Sequence, residues 1–489
     1  MKKKFSKEDK EIKPEQLPSK SNFIEWYNAV LRLAEIADKR YPVKGTFVWL
    51  PYGLKIMKNL VREWDMMFQE NGIEEVYFPA FVPIEFAQKN KEWFEGFKEN
   101  IYSVAPLSSK AEKERLILRP TGEPAMYPIF GFWIKDGKPP IRIYQTVSSF
   151  RYEGKTTHTM IRDREITYWY EIHTAHKTRE EAEEEMKKHI EMNEYIWKKV
   201  LCIPTIKVEK PPYEIFPGAL SAIEFYTIMP NGMLLENGSV NNLGQAYAKK
   251  FDLYYVDEKG NKKYVWQVCT GNGARYIVAA IALHGDERGL VLPPKIAPIQ
   301  VVIIPIVEKA HEKEIKEESE RVKNLLISNG IRAYIDDREN ITPGEKFYVW
   351  DIKGVPLRIE IGKEEILENY YTIFRRDTKK RDKVTKDQLL KFVISKINKE
   401  IPENLYKKVL DFYNTKIKYF SKIDEALEWI NKGGIAKVNW CGDKKCYEKI
   451  LSLQSGVEPV GTLVEEEKEG NCIICGAKTN KLALIGKTY

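Results

Sequence analysis

The sequence predicts a multidomain α/β protein, and three observations carry that reading. At 489 residues the chain is too long for one hydrophobic core. Two β-rich stretches, RIYQTVSSFRYE (142–153) and IRDREITYWYEIH (161–173), alternate in polarity and are separated by a short polar loop, the pattern of an antiparallel hairpin. Beyond residue 299, strand-like and helix-like segments alternate in β-α-β-α-β order, which predicts a small domain with a mostly parallel sheet.

In chain order, MKKKFSKEDKEIKPEQLPSK is charged and lacks an apolar h-region, so residues 1–21 read as an extension and not as a secretory signal. Residues 22–295 form a large unit rich in aromatics. Within it a helix is expected over 52–72, ending at Gly72, and EEVYFPAF reads as the strand that follows. Thr178 and Glu181 make a capping box for a long helix to about residue 200. Its Glu183/Lys187 and Glu184/Lys188 pairs mark a solvated face. Prolines in GLVLPPKIAPIQ (289–300) set a boundary. A unit over 296–400 follows: strand QVVIIPIV, helix 311–329, strand IRAYIDD, helix 344–352, then strands VPLRIEIG and YYTIFRRD. A helix near 385–415 leads into the tail, 401–489.

Composition is that of a globular protein, 43% hydrophobic and 31% charged, which excludes a disordered chain. The net charge of +8 mildly favours a polyanionic partner. No run of ~18 apolar residues is present, so no membrane partner is expected. Six cysteines are too few for a disulfide scaffold, and the cytoplasm is the expected compartment.

The chain carries neither a P-loop nor a Gly-x-Gly-x-x-Gly helix start, so a nucleotide must be held by side chains on a sheet. The hairpin offers such a grip. Alternation puts Arg151 and Glu153 on one strand face, and Arg162 and Arg164 on one face of the partner. An arginine fork suits phosphate, and a carboxylate can accept from an adenine amino group. A cross-strand lattice of ion pairs would show the same charges. A second element, CTGNGARYIVAAIALHG (269–285), sets Gly271, Gly273 and Arg275 at the start of an apolar helix, where backbone can approach closely and an anion is favoured.

Four cysteines are clustered in the tail. Cys441-x₄-Cys446 and Cys472-x₂-Cys475 have the spacing of a structural Cys₄ zinc site, with Gly442 and Gly476 suited to the tight turns beside them. Cys202 and Cys269 read as core thiols. Glu171, His173 and His176 lie on one strand end, where convergence on a metal is disfavoured, so His173 reads as a pocket residue beside a structural His176.

Taken together, helix 52–72 with Phe78-Pro79, Phe150-Arg151-x-Glu153 and Gly271…Arg275 resemble motifs 1, 2 and 3 of class II aminoacyl-tRNA synthetases. RPTGEPAMYP, VNNLGQ, HGDERGLVLPP, DIKGVPLRIEIG and the final Lys487-Thr488-Tyr489 resemble prolyl-tRNA synthetases of the archaeal and eukaryotic type, over about 22 to 489. The resemblance implies an antiparallel-sheet catalytic domain, an α/β anticodon-binding domain and a small zinc-binding C-terminal domain. It implies a homodimer that joins proline to tRNA using ATP and Mg²⁺. By resemblance, Arg151 and Arg275 are catalytic. ATP falls to Arg151, Glu153, Arg162, Glu236, Ser239 and Arg275. The amino acid falls to Thr121, Glu123, Arg151, Trp169, Glu171, His173, Phe225 and Asn241. Lys346, Lys353, Arg358, Arg375 and Arg376 are candidate anticodon contacts, and Tyr489 is expected to tuck toward the active site. Gly122, Glu224, Tyr226 and Asn241 depart from the family pattern. A relative activating another amino acid, or a non-catalytic tRNA-binding paralogue, are the alternative readings.

Overall fold

The computed structural model describes residues 17–105, 115–137, 139–154 and 156–489. Residues 1–16 of the expected extension, and Lys155 in the hairpin loop, lie outside the described residues. An eleven-stranded mixed sheet organises the described chain. From one edge its strands are Ile417–Tyr419, Ile435–Asn439, Lys478–Lys487, Val457–Asn471, Ile206–Glu209, Ser221–Ile228, Leu234–Gly244, Trp266–Asn272, Glu165–His176, Ile141–Phe150 and Glu74–Glu75. The two pairings at the edges are parallel and the rest antiparallel.

Helices Phe23–Leu33, Pro51–Glu70 and Arg275–His284, with the inner residues of Arg179–Tyr195, pack into one core with Tyr170 and Ile172 of the sheet. The capping box at Thr178 and Glu181 forms as expected. On the solvent side of that helix Glu184 pairs with Lys188 at 3.4 Å, whereas Glu183 pairs with Arg179 at 2.7 Å. A second cluster, built on Met126, Tyr127, Phe130, Tyr247 and Phe251, seats helix Glu123–Asp136 over the sheet.

The hairpin forms in antiparallel register, from Ile141↔Ala175 to Phe150↔Glu165. It ends earlier than the alternation predicts. Residues 151–154 and 156–164 lie outside the strands, with a tight turn in which His158 and Arg162 bridge and Met160 takes a φ of 65°. Asp163 holds that turn by accepting from the Met160 N–H at 2.7 Å. Arg162 and Arg164 therefore do not share a strand face. EEVYFPAF also divides: Glu74–Glu75 joins the large sheet and Phe81–Pro83 a separate three-stranded one. Between them the Phe78 and Pro79 carbonyls accept from the buried Arg119 guanidinium at 2.5 and 2.7 Å, and Pro79 has no N–H for a ladder.

Residues 301–385 build a five-stranded sheet in the order Ala333–Ile335, Val301–Pro305, Leu357–Ile361, Tyr370–Arg375, Lys380–Thr385. Two pairings are parallel and two antiparallel, so the expectation of a mostly parallel sheet is corrected. Only the first three strands are linked by crossover helices, Glu312–Ser328 and Pro343–Lys353; short connections return the last two antiparallel. A helical run over 389–416, with a π-helical turn at Lys396–Glu400, continues into the tail. The tail adds its strands to the large sheet through Thr462↔Glu209 and Leu463↔Val208. Among the described residues, no helix is long and apolar enough to cross a membrane.

At that seam Gly461 has a φ of 139°, and a Cβ there would meet the Glu209 carbonyl oxygen at 2.8 Å. Gly461→Val is expected to destabilise the protein by about 1–3 kcal/mol, with tail and large sheet losing structure together. Calorimetry with tryptophan fluorescence checks this; a tail that melts separately from the sheet would refute the coupling.

Candidate active site

One face of the large sheet floors a cavity of about 750 Å³. Two register rows account for much of its chemistry. One row runs Gln145–Glu171–Gly271–Ser239 across four strands. The next runs Ile143–His173–Cys269–Asn241. Residues in one row on one face of a sheet are neighbours whatever their distance in sequence. Helix Glu123–Asp136 closes the cavity from above with Thr121 and Glu123, and the hairpin loop brings Arg151 and Glu153 to its other end.

At the first end the polar groups are buried and fully engaged. Glu171 accepts from the Gly122 N–H at 2.8 Å and from Gln145 Nε2 at 2.9 Å, and its Oε2 lies 3.2 Å from His173 Nε2. Burial alone would raise the Glu171 pKa, but His173, Gln145 and Arg119 outweigh it and hold the carboxyl below its ordinary value. For His173 burial acts downward, yet Glu171 and Glu123 raise its pKa above the ordinary histidine value. Glu123 is raised, chiefly by burial. Its carboxylate accepts from Thr121 Oγ1, which in turn accepts from Trp93 Nε1 at 3.1 Å. Tyr127 OH bonds His173 Nδ1 at 2.9 Å. Asn241 Nδ2 donates to Ser239 Oγ at 2.9 Å and reaches Cys269 Sγ at 3.7 Å.

The other end is cationic. Arg151 donates from Nε to the Pro120 carbonyl at 3.1 Å, with its guanidinium over the rings of Phe97 and Trp169. Burial, then the nearby Arg275 charge, lowers its pKa. Arg275 opens helix Arg275–His284 and donates to the Ile161 carbonyl at 3.1 Å and to Glu236 Oε2 at 2.5 Å. Burial would raise Glu236, but Arg275 and the Gly238 N–H hold it below its ordinary value. Gly271 and Gly273 do admit a close approach, though by Trp169: a Cβ on Gly271 would meet its indole at 2.5 Å. Such a site can hold a polyanion beside a small zwitterion.

Most of the sequence-predicted residues meet in this cavity: Thr121, Glu123, Arg151, Glu153, Arg162, Trp169, Glu171, His173, Glu236, Ser239, Asn241 and Arg275 line it. Phe225 does not. It is fully buried in the core, because its neighbour Glu224 pairs with Ser239 and alternation turns Phe225 to the opposite face. Phe97 and Phe216 line the cavity instead. Neither belongs to a spaced motif, so no local pattern points to them. Asp163 and Cys269 were also missed as lining residues; burial pushes the Asp163 pKa up to about 8. Arg162 is engaged by the C-terminus, donating to the Tyr489 carbonyl oxygen at 3.1 Å. Glu224 and Tyr226 satisfy one another through a 2.7 Å hydrogen bond, and neither lines the cavity.

The basic candidates of the smaller unit are committed to structural pairs. Lys346 is buried and donates to the Asp336 carbonyl at 2.9 Å. Arg358 is buried between Asp351 and Glu360, and Arg376 bonds Asp286. Arg375 pairs with Asp377 and Glu400, and Lys353 with Glu35. A buried cation without a partner is costly, and these partners supply the counter-charge within the fold. His176 bonds Thr174 Oγ1 at 2.9 Å away from the cavity, as a structural histidine.

The four tail sulfurs converge with all cysteines free of disulfides. Cys441–Cys446, Cys441–Cys475 and Cys446–Cys472 are 3.6, 3.9 and 4.0 Å apart. Four thiolates ~2.3 Å from a tetrahedral Zn²⁺ would stand ~3.8 Å apart, so the residues fit the ion.

Three family models match the chain: "tRNA synthetase class II core domain (G, H, P, S and T)" over residues 102–284, "Anticodon binding domain" over 300–396, and "Prolyl-tRNA synthetase, C-terminal" over 423–489. A proline–tRNA ligase of Methanopyrus kandleri is 40% identical over 482 residues, covering 97% of this chain and 98% of its own. One from Thermococcus kodakarensis is 39% identical over 475 residues, covering 96% and 98%. Among solved structures, Giardia lamblia prolyl-tRNA synthetase in complex with prolyl-adenylate superposes with a TM-score of 0.92 at 29% identity, covering 96% of this chain and 99% of that one.

The raised pKa of His173 has a defined sign. Its ion pair stabilises the fold fully below the unfolded histidine pKa of about 6.5, and that contribution is lost as pH rises through the folded value. Glu171→Gln is expected to lower the His173 pKa, read by NMR titration of the ring; an unchanged titration would show that Glu171 does not set it.

Proposed function

The chain belongs to the prolyl-tRNA synthetase family, and from that premise we propose how its residues activate proline with ATP and pass it to tRNA. The observation that carries the assignment is the convergence of Arg151 and Arg275 at one end of a cavity whose other end is the buried Thr121–Glu123–Glu171–His173 group. Attack of the proline carboxylate on the α-phosphorus of ATP is an in-line displacement between two anions. It needs fixed cations and positioning more than an acid–base pair. Arg151 is assigned to the α-phosphate and the carboxylate, Arg275 to the γ-phosphate, and Glu153 to the adenine amino group. Ser239 is assigned to ATP on the cavity wall, and Arg162 to a position held jointly with the C-terminus.

Glu123 and Thr121 receive the secondary ammonium of proline. His173, Trp169 and Asn241 line its pocket, with Phe216 taking the ring-packing role first expected of Phe225. Glu236 is a hard oxygen donor on the cavity wall that fits Mg²⁺, which when bound neutralises charge on the leaving pyrophosphate. The terminal ribose hydroxyl of tRNA then attacks the carbonyl of the adenylate and AMP leaves.

We assign 22–295 to catalysis, 296–400 to anticodon binding and 401–489 to a zinc-bound C-terminal unit, with 1–21 as an extension; the three matched segments fall inside these units. Zinc has a structural role here, because four thiolates leave no position for substrate. A homodimer is supported by the exposed apolar side chains Met66, Tyr77, Phe81 and Phe132 on and beside helix Pro51–Glu70 and on helix Glu123–Asp136. Six free cysteines suit the cytoplasm.

ATP–pyrophosphate exchange assayed across the standard amino acids is expected to require proline; exchange with a different amino acid, or none, would overturn the assignment. Arg151→Ala is expected to lower exchange by at least about 100-fold while tRNA binding in a filter assay persists. Cys446→Ser is expected to abolish the zinc found by elemental analysis of the purified chain. A full complement of zinc in that variant would remove Cys446 from the ligand set.

A further inference from the structure

Beside the groups assigned to proline, the first end of the cavity carries a buried thiol, Cys269, that recognition of an amino acid does not require. Cys269 and His173 are register partners on adjacent strands, so their side chains leave the same face of the sheet side by side. Glu123 meets them from the first turn of the overlying helix. One carboxylate oxygen, one ring nitrogen and the Cys269 sulfur all lie within 4.8 Å of one another, and all three residues are buried. Each also borders the cavity, which leaves room for a further ligand.

Thiolate, imidazole and carboxylate are the donors Zn²⁺ takes, and three protein ligands with one open position make an exchangeable site. The sulfur selects against Mg²⁺, whose preferred ligands are oxygens. The surroundings fit as well. Tyr127 OH bonds His173 Nδ1 at 2.9 Å, an outer contact that orients the ring, and Nε2 would exchange its 3.2 Å contact with Glu171 Oε2 for the metal. Asn241 Nδ2, 3.7 Å from Cys269 Sγ, points a donor at the sulfur. A lone buried thiol would be a small core residue; a thiol opposite a histidine and beneath a glutamate, all facing one cavity, is a ligand set.

We propose that Glu123, His173 and Cys269 form a second metal site, taken by a thiophilic divalent cation such as Zn²⁺ when the amino acid is absent, so that metal and proline exclude one another. Metal–sulfur and metal–nitrogen bonds replace the S–H bond of Cys269 and the Nε2–H bond of His173, and both protons leave to solvent. No electron is transferred. The exclusion rests on the assignment of this end of the cavity to proline; the metal site itself does not.

Full-length protein with its tail cysteines already loaded with zinc would be titrated with Co²⁺. One further equivalent is expected to bind, with tetrahedral d–d absorption and a thiolate-to-metal charge-transfer band. Cys269→Ala is expected to lose the charge-transfer band and to weaken Co²⁺ binding by at least about tenfold; Cys269→Ser, closer in volume, replaces it if the alanine variant does not fold. Saturating proline is expected to displace the Co²⁺. Absence of the extra absorption in the unsubstituted protein, or its survival in the Cys269 variants, would overturn the site. Persistence of the band under saturating proline would overturn the exclusion. The absorption needs neither ATP nor tRNA, so its failure is distinct from a failure of the proposed reaction.

Discussion

The buried carboxylate of Glu171 is the contact on which the rest of the site depends. It joins the loop before helix Glu123–Asp136, the strand Ile141–Phe150 and its own strand through Gly122, Gln145 and His173. Gln145 also accepts from the Phe78 N–H, which ties in the segment after helix Pro51–Glu70. The fit around it is close: a Cβ on Gly122 would stand 2.6 Å from Glu171 Oε2. A side chain at position 122 would require that carboxylate to shift. A buried anion persists only when it is satisfied on every side, and each partner here comes from a different element. Aligning those elements is what aligns Thr121, Glu123 and His173.

The cationic end obeys the complementary rule. The Arg275 charge adds to burial in lowering the Arg151 pKa, and Glu236, paired with Arg275, offsets part of that repulsion. A triphosphate can replace the carboxylate as counter-charge. The C-terminus takes part as well. Tyr489 donates its N–H to the Leu234 carbonyl, and its OH accepts from Asn231 at 2.8 Å, so Arg162 is held by a residue whose position depends on the last strand. That strand belongs to the tail, which makes the four-cysteine segment part of the scaffold around the cationic end.

Much of this was legible in the chain. Local spacing carries the Cys₄ set, because four ligands in two short pairs leave few other arrangements. It carries the capping box at Thr178, since hydrogen bonds to the first turn span only three residues. It also carries Arg151, Glu153 and Arg275, which flank regular elements at readable ends. What failed did so for definable reasons. Phe225 was assigned to the pocket by resemblance, whereas strand alternation with Glu224 turns it into the core. Arg358 and Arg376 read as candidate anticodon contacts because their partners, Asp351 and Asp286, are contributed by other elements and leave no trace in local spacing.

The sequence alone determined the class of chemistry: arginines and glycines at the ends of strands and helices, a buried-strand histidine and glutamate, and thiols at metal spacing, all short-range patterns. Only the tertiary structure decided which of these groups meet. It set Cys269 opposite His173 and Gly271 opposite Glu171 through sheet register, committed the basic residues of the smaller unit to ion pairs, and ran the tail into the catalytic sheet. Register and burial arise from packing between segments far apart in sequence, and no local period records them.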